Sequence, residues 1–418
     1  MSLRSLMRKG SGARLYRPRD EQARLDKIAQ QDEAKQRRDA EREARRADMR
    51  AAKERAAEER DLRKQEAQAR RDAERRAQEE FEAQAYENYQ QVRAWAMRMR
   101  TAAGAAAPPL TGDEHAMLAR VAPMWDATPE MIAALRRWCE PVSGVRASDY
   151  ESRDSDMAKD LKRQIGFLRK QLGPELFVPE SPVLGGFGFV DQAALYNQDT
   201  VTSFNALVAL QDAAVLQAFR HVEPRQVVWE IGGGWGGFAY QFKRVCPNVT
   251  YVITGHPDLF LLSAVYLMSV FPEARFRFFD DGADWEGADF VFAPEWAVPT
   301  FHLPRLDLTI DLMALQTMTC ARATRHIERA FNLGSRYIYT MTRIDAGVSR
   351  IAVHDAIARH FWPHPVPPRR DPKLEDMRAA TGVEDEAEFS HLVGWKRILL
   401  PSQSGQVASW ELTRKNLA

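Results

Sequence analysis

The residues best suited to do chemistry lie in one short stretch, residues 226–237, which reads QVVWEIGGGWGG. An apolar run ends in the carboxylate of Glu230, and a glycine-rich turn follows it. The glycines of this turn that matter most are Gly232, Gly234, Gly236 and Gly237. Glycine lets the backbone turn sharply and approach a ligand, and a helix that begins near Phe238 would offer free N–H groups. The stretch therefore predicts a ligand site built from backbone groups, a carboxylate and a helix N-terminus.

Three of these glycines also satisfy the spacing G-x-G-x-x-G, at Gly232, Gly234 and Gly237. Dinucleotide-binding turns share that spacing, so on spacing alone an NAD(P) site is allowed. A glycine-rich turn is a weak signal by itself. Its context strengthens it here, because a strand precedes the turn and a helix follows it.

The elements that must position this turn are predicted from the alternation of apolar runs. Strands are predicted at 250–254, 274–279, 289–293, 306–312 and 335–342, and helices at 257–270 and 320–332. Strands and helices that alternate in this way form a doubly wound α/β sheet, whose ligand site lies at the carboxyl ends of the strands. We therefore predict a Rossmann-like α/β domain over residues 181–418.

A physically different segment, residues 1–103, begins the chain. From residue 20 to residue 103 it contains no Gly and no Pro, and strong helix formers dominate it. Acid-to-Arg pairs four residues apart recur, as at Glu59/Arg63 and Glu66/Arg70, and such pairs stabilise a solvated helix. Few large aliphatic residues precede Phe81, after which aromatic residues predict an apolar contact. We predict a long charged helix or weak coiled coil that serves as a tether and could self-associate or bind a protein partner.

Residues 104–180 are predicted to form a linker and a helical subdomain. The linker follows from the sequence AAGAAAPP at 102–109. Helices are predicted from Thr128-Pro129 onward and over 154–172. The Gly-rich and aromatic residues 183–197 are predicted as a loop, and 200–220 as helical.

Charge is distributed unevenly along the 418 residues, although 59 Lys and Arg nearly balance 58 Asp and Glu. Residues 1–100 hold 27 basic and 20 acidic residues, whereas the remainder holds 32 and 38. The acids interleave with the arginines and would repel phosphate, which argues against a nucleic-acid partner. Three widely spaced cysteines fit a reducing cytoplasm. The longest apolar run, 259–271, has 13 residues and is too short to predict a transmembrane segment.

Residues 230–237 resemble motif I of class I S-adenosylmethionine-dependent methyltransferases, in which an acid precedes the glycines. More narrowly, the chain resembles the sugar O-methyltransferase family of bacterial polysaccharide clusters. Further motifs carry this resemblance: LGGFG at 184–188, NQDT at 197–200, PDL at 257–259, YL at 266–267, ID at 310–311 and LQTM at 315–318. The resemblance covers about residues 150–400. It implies a class I methyltransferase fold, S-adenosyl-L-methionine as cofactor and a sugar or glycan substrate.

One position departs from the family pattern. The family ends its second strand with an acid that binds both ribose hydroxyls of the cofactor, and Gly255 stands there in this chain. Asp258, in the first turn of the next helix, is the predicted substitute. The alternative for Asp258 is an ordinary helix-end acid that the helix dipole favours. A weakened or lost cofactor site is the consequence if nothing replaces the acid.

The resemblance implies roles for further carboxylates. Glu230 is predicted to accept the ammonium group of the cofactor, and Asp280 or its neighbour Asp281 to meet the adenine amine. Asp311 is predicted to act as a base or orienter for the substrate hydroxyl, with a buried helix cap as the alternative.

Three histidines, His256, His302 and His326, could each deprotonate a sugar hydroxyl. His256 is best placed, because its loop leads from the cofactor turn. The aromatic candidates for stacking on a sugar ring are Trp235, Trp285 and Trp296. The histidines are scattered, so no metal site is predicted.

The sequence thus predicts an S-adenosylmethionine-dependent O-methyltransferase that acts on a sugar hydroxyl of a glycan or nucleotide-sugar. Such a transfer requires that the acceptor oxygen, the methyl group and the sulfur lie in line, and that a group accept a proton. Two alternatives stay open. One is a catalytically degenerate methyltransferase-fold assembly module tethered by the long helix, and the other is an NAD(P)-linked oxidoreductase.

Overall fold

The computed structural model describes residues 18–152, 155–171, 173–220, 223–279, 285–300, 302–303, 305–343, 348–367 and 389–397. The chain divides into two compact units, Met1–Glu79 and Glu80–Ala418. The boundaries predicted from the sequence, 1–103, 104–180 and 181–418, stay predictions.

In the first unit, residues 18–79 are helical and belong to α1 (Pro18–Ala103). Nearly all side chains of residues 21–79 are exposed, including the aliphatic Leu25 and Leu62. The predicted pair Glu59–Arg63 forms at 2.6 Å, whereas Arg70 turns forward and contacts Glu74 at 2.8 Å. The prediction of a long charged helix is confirmed, and a coiled coil stays a prediction.

The second unit begins with the last turns of α1, which are buried along one face. Apolar residues recur there at helical spacing: Ala85, Tyr89, Val92, Ala96 and Met99. That spacing places them on one stripe of the helix, which packs into the core. The indole Nε1 of Trp95 donates to the carbonyl oxygen of Phe279 at 3.0 Å. The apolar contact predicted beyond Phe81 is therefore confirmed.

A helical subdomain follows, composed of α2 (Gly112–Val121), α3 (Pro129–Ala133), α4 (Glu140–Ser143) and α5 (Asp156–Gln171), with 3₁₀ turns between them. The helix predicted at Thr128-Pro129 begins there, and the Thr128 hydroxyl accepts from the amide of Met131. After one turn it gives way to a 3₁₀ turn, Leu135–Cys139.

The loop predicted at 183–197 is wrong in part. It contains an antiparallel hairpin, β1 (Phe189–Asp191) and β2 (Ala194–Tyr196), whose Phe189 and Tyr196 are buried. The turn places Gln192 at φ 49° and Ala193 at φ 66°. Turns with two left-handed residues usually contain Asn or Gly, so the sequence carries no turn signal here.

Two helices, α6 (Gln198–Asp212) and α7 (Leu216–Phe219), lead into the main sheet. Its strands are β3 (Gln226–Ile231), β4 (Val249–Gly255), β5 (Phe276–Phe278), β6 (Phe290–Pro294), β7 (Leu308–Leu312), β8 (Tyr337–Arg343), β9 (Phe361–Val366) and β10 (Phe389–Lys396). The helices between them are α8 (Gly237–Val245), α9 (Pro257–Val270), α10 (Ala314–Thr317), α11 (Cys320–Asn332) and α12 (Val348–His360).

The strand order is β5-β6-β4-β3-β7-β8-β10-β9, and every pair is parallel except those of β10. From β3 the chain builds the sheet first through β4 toward one edge and then through β7 toward the other. Helices cover both faces over two buried cores. The prediction of a Rossmann-like doubly wound α/β sheet with a helical subdomain is confirmed, and β9, β10 and α12 are additions to it.

In a doubly wound sheet, ligands bind beyond the carboxyl ends of the strands where the strand order reverses. Here that point lies between β3 and β7. The 13-residue apolar run falls in α9, which is buried on nearly all sides. Within the described ranges, no helix combines the length and the apolar character needed to cross a membrane.

Candidate cofactor site

The glycine turn, residues 232–237, connects β3 to α8 and has an unusual backbone. Gly232 and Gly234 have φ values of 88° and 49°, a left-handed region that only glycine enters easily. A Cβ at Gly232 would lie 2.3 Å from the Cβ of Ala314. The turn therefore requires glycine, and the start of α10 packs directly against it.

Some amides of the turn are used within the sheet and the turn itself. The amide of Gly232 donates to the carbonyl of Thr254 at 2.7 Å, and that of Gly236 to Gly233 at 2.9 Å. Within the described part of the chain, the amides of Gly233 and Trp235 have no acceptor. These two N–H groups are available to a ligand.

Glu230 is buried beside the turn and is 3% exposed, so it does not face solvent. Among the described residues its Oε2 has no hydrogen-bond partner, and the nearby Tyr251 hydroxyl forms no hydrogen bond of good geometry either. Burial raises the pKa of Glu230 to about 8, the charge of Asp311 adds to the rise, and the Tyr251 hydroxyl opposes it. The carboxyl group is therefore protonated at neutral pH and gains a partner if a cation binds.

Several charged residues lie just beyond the end of β4, where Gly255 stands in place of the acid of the family pattern. A Cβ at Gly255 would have as its nearest neighbours three backbone atoms of Gly232, at 3.8–3.9 Å, which is ordinary van der Waals contact, and Gly255 itself is buried. Asp258 is 7% exposed, and its Oδ1 lies 3.2 Å from Nδ1 of His256. The Nε of Arg100, from α1, lies 3.8 Å from the same oxygen.

Asp258 is charged in this setting. Burial raises its pKa, but the contacts with His256 and the charge of Arg100 outweigh burial, so the pKa ends below its ordinary value. Its Oδ1 has no hydrogen bond of good geometry despite being buried. The carboxylate is thus an available acceptor next to the end of β4.

A cavity of about 300 Å³ lies at this point. Its polar lining comes from Arg100, His256, Asp258 and Glu295, and its apolar lining includes Trp296. Gly255 ends β4, and Glu295 directly follows β6. The cavity therefore opens at the carboxyl ends of these two strands of the main sheet.

Glu295 forms the wall between this cavity and a second one of about 470 Å³ that runs along α11. Arg322 donates to Glu295 at 2.6 Å and to Glu114 at 2.7 Å, and His326 Nε2 lies 3.0 Å from Glu295 Oε1. Burial raises the pKa of Glu295, but His326 and Arg322 outweigh it and lower the pKa to about 2. The wall is therefore a rigid, charge-paired cluster.

Asp311 ends β7 and is fully buried. Its Oδ1 accepts from the amide of Leu315 at 2.9 Å and its Oδ2 from the Thr340 hydroxyl at 2.5 Å. Burial raises the pKa of Asp311 to about 6, although these hydrogen bonds oppose the rise. Oδ1 holds α10, as in the helix-cap alternative, and Oδ2 is engaged by β8, so both oxygens have partners and a catalytic role for Asp311 stays a prediction.

The other predicted residues are spread over the molecule. Asp280 and Asp281 lie outside the described residues. His302 is exposed, and His326 lies on α11 in the wall cluster. Trp235 packs in the glycine turn and Trp296 lines the cavity, so the structure does not bring the tryptophans onto one face. In the ranges that the structure covers, no group of three or more His, Cys, Asp or Glu could hold a metal ion.

Sequence reasoning missed Arg100 and Glu295, which the fold brings to the cavity from distant segments. Arg100 is one of many arginines in α1, and no local pattern distinguishes it. Glu295 directly follows the strand β6, and a carboxylate at a strand end is the signal that could have identified it.

No protein-family model matches this chain, and no curated protein matches it. Solved structures do resemble it. Phosphoethanolamine N-methyltransferase 2 from Haemonchus contortus, in complex with S-adenosyl-L-methionine, aligns with 9% identity over 48% of this chain and 58% of its own, with a TM-score of 0.29. This chain thus covers little more than half the length of that enzyme.

Two further structures cover similar shares of this chain. Magnesium protoporphyrin IX methyltransferase from Synechocystis, with bound S-adenosylmethionine, aligns over 49% of this chain and 86% of its own, with 10% identity and a TM-score of 0.32. Precorrin-6y C5,15-methyltransferase from Geobacter metallireducens aligns over 44% and 87%, with 12% identity and a TM-score of 0.28. These TM-scores are too low to support an argument about activity.

Proposed function

We propose that this protein is an S-adenosyl-L-methionine-dependent O-methyltransferase that acts on a hydroxyl of a sugar, in a glycan or a nucleotide-sugar. The observation that carries the proposal is the position of the cavity of about 300 Å³. It lies at the carboxyl ends of β4 and β6, and Gly255 in its lining is a close neighbour of Gly232 in the left-handed glycine turn. The turn itself follows β3, next to the point where the strand order reverses.

The residues present are compatible with this cofactor. Asp258 offers a buried carboxylate oxygen without a good hydrogen bond, which suits the ribose hydroxyls in place of the acid missing at Gly255. The free amides of Gly233 and Trp235 and the unpartnered Oε2 of Glu230 suit the amino-acid end. When bound, S-adenosylmethionine supplies an electrophilic methyl group on a sulfonium sulfur.

The protein must then orient the acceptor hydroxyl and take up its proton. His256 is the better candidate for the proton acceptor. Its Nδ1 accepts from the amide of Asp258 at 3.4 Å and lies 3.2 Å from the Oδ1 of Asp258, so Asp258 holds the ring in place. Its Nε2 has no partner among the described residues. Asp311 already uses both oxygens, on Leu315 and Thr340.

An NADP-linked oxidoreductase is the second candidate, and one observation favours it. Arg100 brings a guanidinium group to the cavity near the end of β4, where a 2′-phosphate is held by an arginine in NADP-binding folds. Asp258, 3.8 Å from Arg100, opposes this, because its charge would repel the phosphate.

Isothermal titration calorimetry of the full chain separates these functions. We expect S-adenosylhomocysteine and S-adenosylmethionine to bind and NADP⁺ and NAD⁺ not to bind. Binding of NADP⁺ alone would replace the proposal by the oxidoreductase. Binding of none of the four would favour the assembly module. The sugar acceptor is then tested by transfer of labelled methyl groups to a panel of nucleotide-sugars and glycans.

A further inference from the structure

A single arginine, Arg136, lies fully buried against the glycine turn. It belongs to the 3₁₀ turn Leu135–Cys139 and is 0% exposed. Its guanidinium carbon lies 3.8 Å from the ring centroid of Trp235 and 4.7 Å from that of Phe187. Trp235 is the single side chain larger than hydrogen in residues 232–237. The guanidinium thus contacts two aromatic rings, one of which belongs to the turn.

Two carboxylates fix the same guanidinium. Its Nε donates to Glu180 at 2.7 Å, and its Nη2 donates to Asp199. Asn197 in turn donates to the second oxygen of Glu180 at 3.0 Å. Burial alone would lower the pKa of Arg136, but Glu180 and Asp199 raise it overall, so the side chain is charged. A buried cation that is bound by two carboxylates and packed against two aromatic rings has little freedom to move, although its Nη1 has no hydrogen-bond partner among the described residues.

This cluster uses two motifs that the sequence resemblance singled out without a role. Phe187 comes from LGGFG at 184–188, and Asn197 and Asp199 come from NQDT at 197–200. Both motifs converge on Arg136, and through it on Trp235. Three separate segments of the chain therefore meet at the one bulky side chain of the glycine turn.

The indole ring of Trp235 packs against the turn and against the core. A Cβ at Gly237 would lie 2.2 Å from Cζ2 of Trp235, so the indole ring covers the backbone of Gly237 directly. The ring also meets Tyr266 edge-on, with centroids 5.0 Å apart. On either side of Trp235, Gly234 and Gly236 have left-handed φ values of 49° and 88°.

We propose that Arg136 is a positioning residue for the glycine turn: by holding Trp235, it keeps residues 232–237 in the form that receives the ligand. The identity of that ligand rests on the proposed function, whereas the positioning of the turn does not. Arg136 acts through Trp235 and is not itself assigned a contact with the ligand.

Hydrogen exchange of the ligand-free full chain, measured by mass spectrometry, tests the positioning alone. The readout is the peptide that covers 232–240, where Gly236 donates to Gly233 and Tyr240 donates to Gly236, each at 2.9 Å. Arg136→Lys keeps the positive charge that Glu180 and Asp199 require but loses the flat face and the fork of donors. We expect exchange in this peptide to become at least tenfold faster, with β4 unchanged.

Phe187→Leu is the matched control. It removes the second ring in contact with the same guanidinium and leaves Trp235 in place. We expect faster exchange in the hairpin that contains β1 and β2, and a change within twofold at 232–240. Unchanged exchange at 232–240 in Arg136→Lys, or equal acceleration there in Phe187→Leu, would overturn the proposal. Trp235→Leu removes the aromatic side of the contact between Arg136 and Trp235. We expect it to accelerate exchange at 232–240 as Arg136→Lys does, so it tests the contact even where Arg136→Lys folds poorly.

Affinity for S-adenosylhomocysteine, measured on the same proteins, separates this inference from the proposed function. We expect Arg136→Lys to weaken binding at least tenfold and Phe187→Leu to weaken it less than threefold. Equal binding by the wild-type protein and Arg136→Lys would overturn the positioning role. Absence of binding by the wild-type protein would overturn the proposed function, and the exchange data would still decide the positioning.

Discussion

Asp311 on β7 is in register with Ile231 on β3, so its carboxyl group lies at the level of the residue that follows Glu230. Both carboxyl groups are buried. Burial raises the pKa of Glu230 to about 8 and that of Asp311 to about 6, and the charge of Asp311 contributes to the rise at Glu230. Two carboxyl groups at the reversal of strand order therefore lose their protons at different pH values.

The first prediction concerns stability. The pKa of Glu230 is raised from 4.5 in the unfolded chain to about 8 in the folded one, so its stabilisation is complete below pH 4.5 and is lost as the pH rises through 8. We expect the free energy of unfolding to fall by on the order of 2–4 kcal/mol from pH 5 to pH 8.5. Urea unfolding at several pH values measures it. Glu230→Gln should flatten this slope, and equal slopes in both proteins would contradict the assignment.

The second prediction concerns ligand binding at Glu230. A bound cation favours the ionised carboxylate, so binding of S-adenosylmethionine should release a proton below pH 8. Calorimetry at pH 7 in two buffers of different ionisation enthalpy detects that proton. Glu230→Gln should weaken affinity about ten- to a hundredfold, because it removes a charged acceptor. An identical heat in both buffers would exclude this role for Glu230.

The third prediction concerns the missing ribose acid. Asp258→Ala should weaken S-adenosylhomocysteine binding at least about tenfold, which corresponds to one charge-assisted hydrogen bond. Circular dichroism should not change. Asp126→Ala is the matched control, because that carboxylate is 89% exposed and lies outside the cavity. Unchanged affinity in Asp258→Ala would reduce Asp258 to a helix-end acid.

The fourth prediction concerns whether a side chain can be added at Gly255. Its backbone does not have the left-handed φ, and the nearest atoms to an added Cβ lie 3.8 Å away. The double variant Gly255→Asp/Asp258→Ala should therefore fold and regain binding that Asp258→Ala lost. Gly234→Val should abolish binding, because Gly234 has φ 49° and a β-branched residue resists it. Gly255→Ala, the matched glycine variant, should bind normally. Failure of the double variant to recover any affinity would place the ribose elsewhere.

The fifth prediction concerns the wall cluster. Arg322 is 2% exposed and contacts both Glu114 and Glu295. Arg322→Met would leave two buried carboxylates without their cation, and we expect a loss of about 3–5 kcal/mol in the free energy of unfolding. Arg325→Ala, an exposed arginine on the same helix, should change it by less than about 0.5 kcal/mol. Similar thermal shifts in the two variants would show that the buried cluster contributes little.

The predictable parts of the fold are those whose signals are local. The bounds of α9 coincide with the predicted 257–270, because a proline at the first helical position begins the helix and the apolar run ends with it. The strand before the glycine turn is also local, a β-branched run that ends where glycines begin. By contrast, β9 contains Pro363 and Pro365, which argue against a strand, and the sheet tolerates them because β9 lies at its edge.

The sequence by itself determined the order of elements and the turn that requires glycine, because these depend on residues within a few positions of one another. Only the tertiary structure decided which charged groups reach that turn. Arg100 and Arg136 each lie in arginine-rich or irregular segments more than 95 residues before Gly232. Their selection depends on which face of each helix the core buries. That choice is made by packing against distant aromatic rings and carboxylates, such as Trp235 and Asp258, and not by any pattern near either arginine.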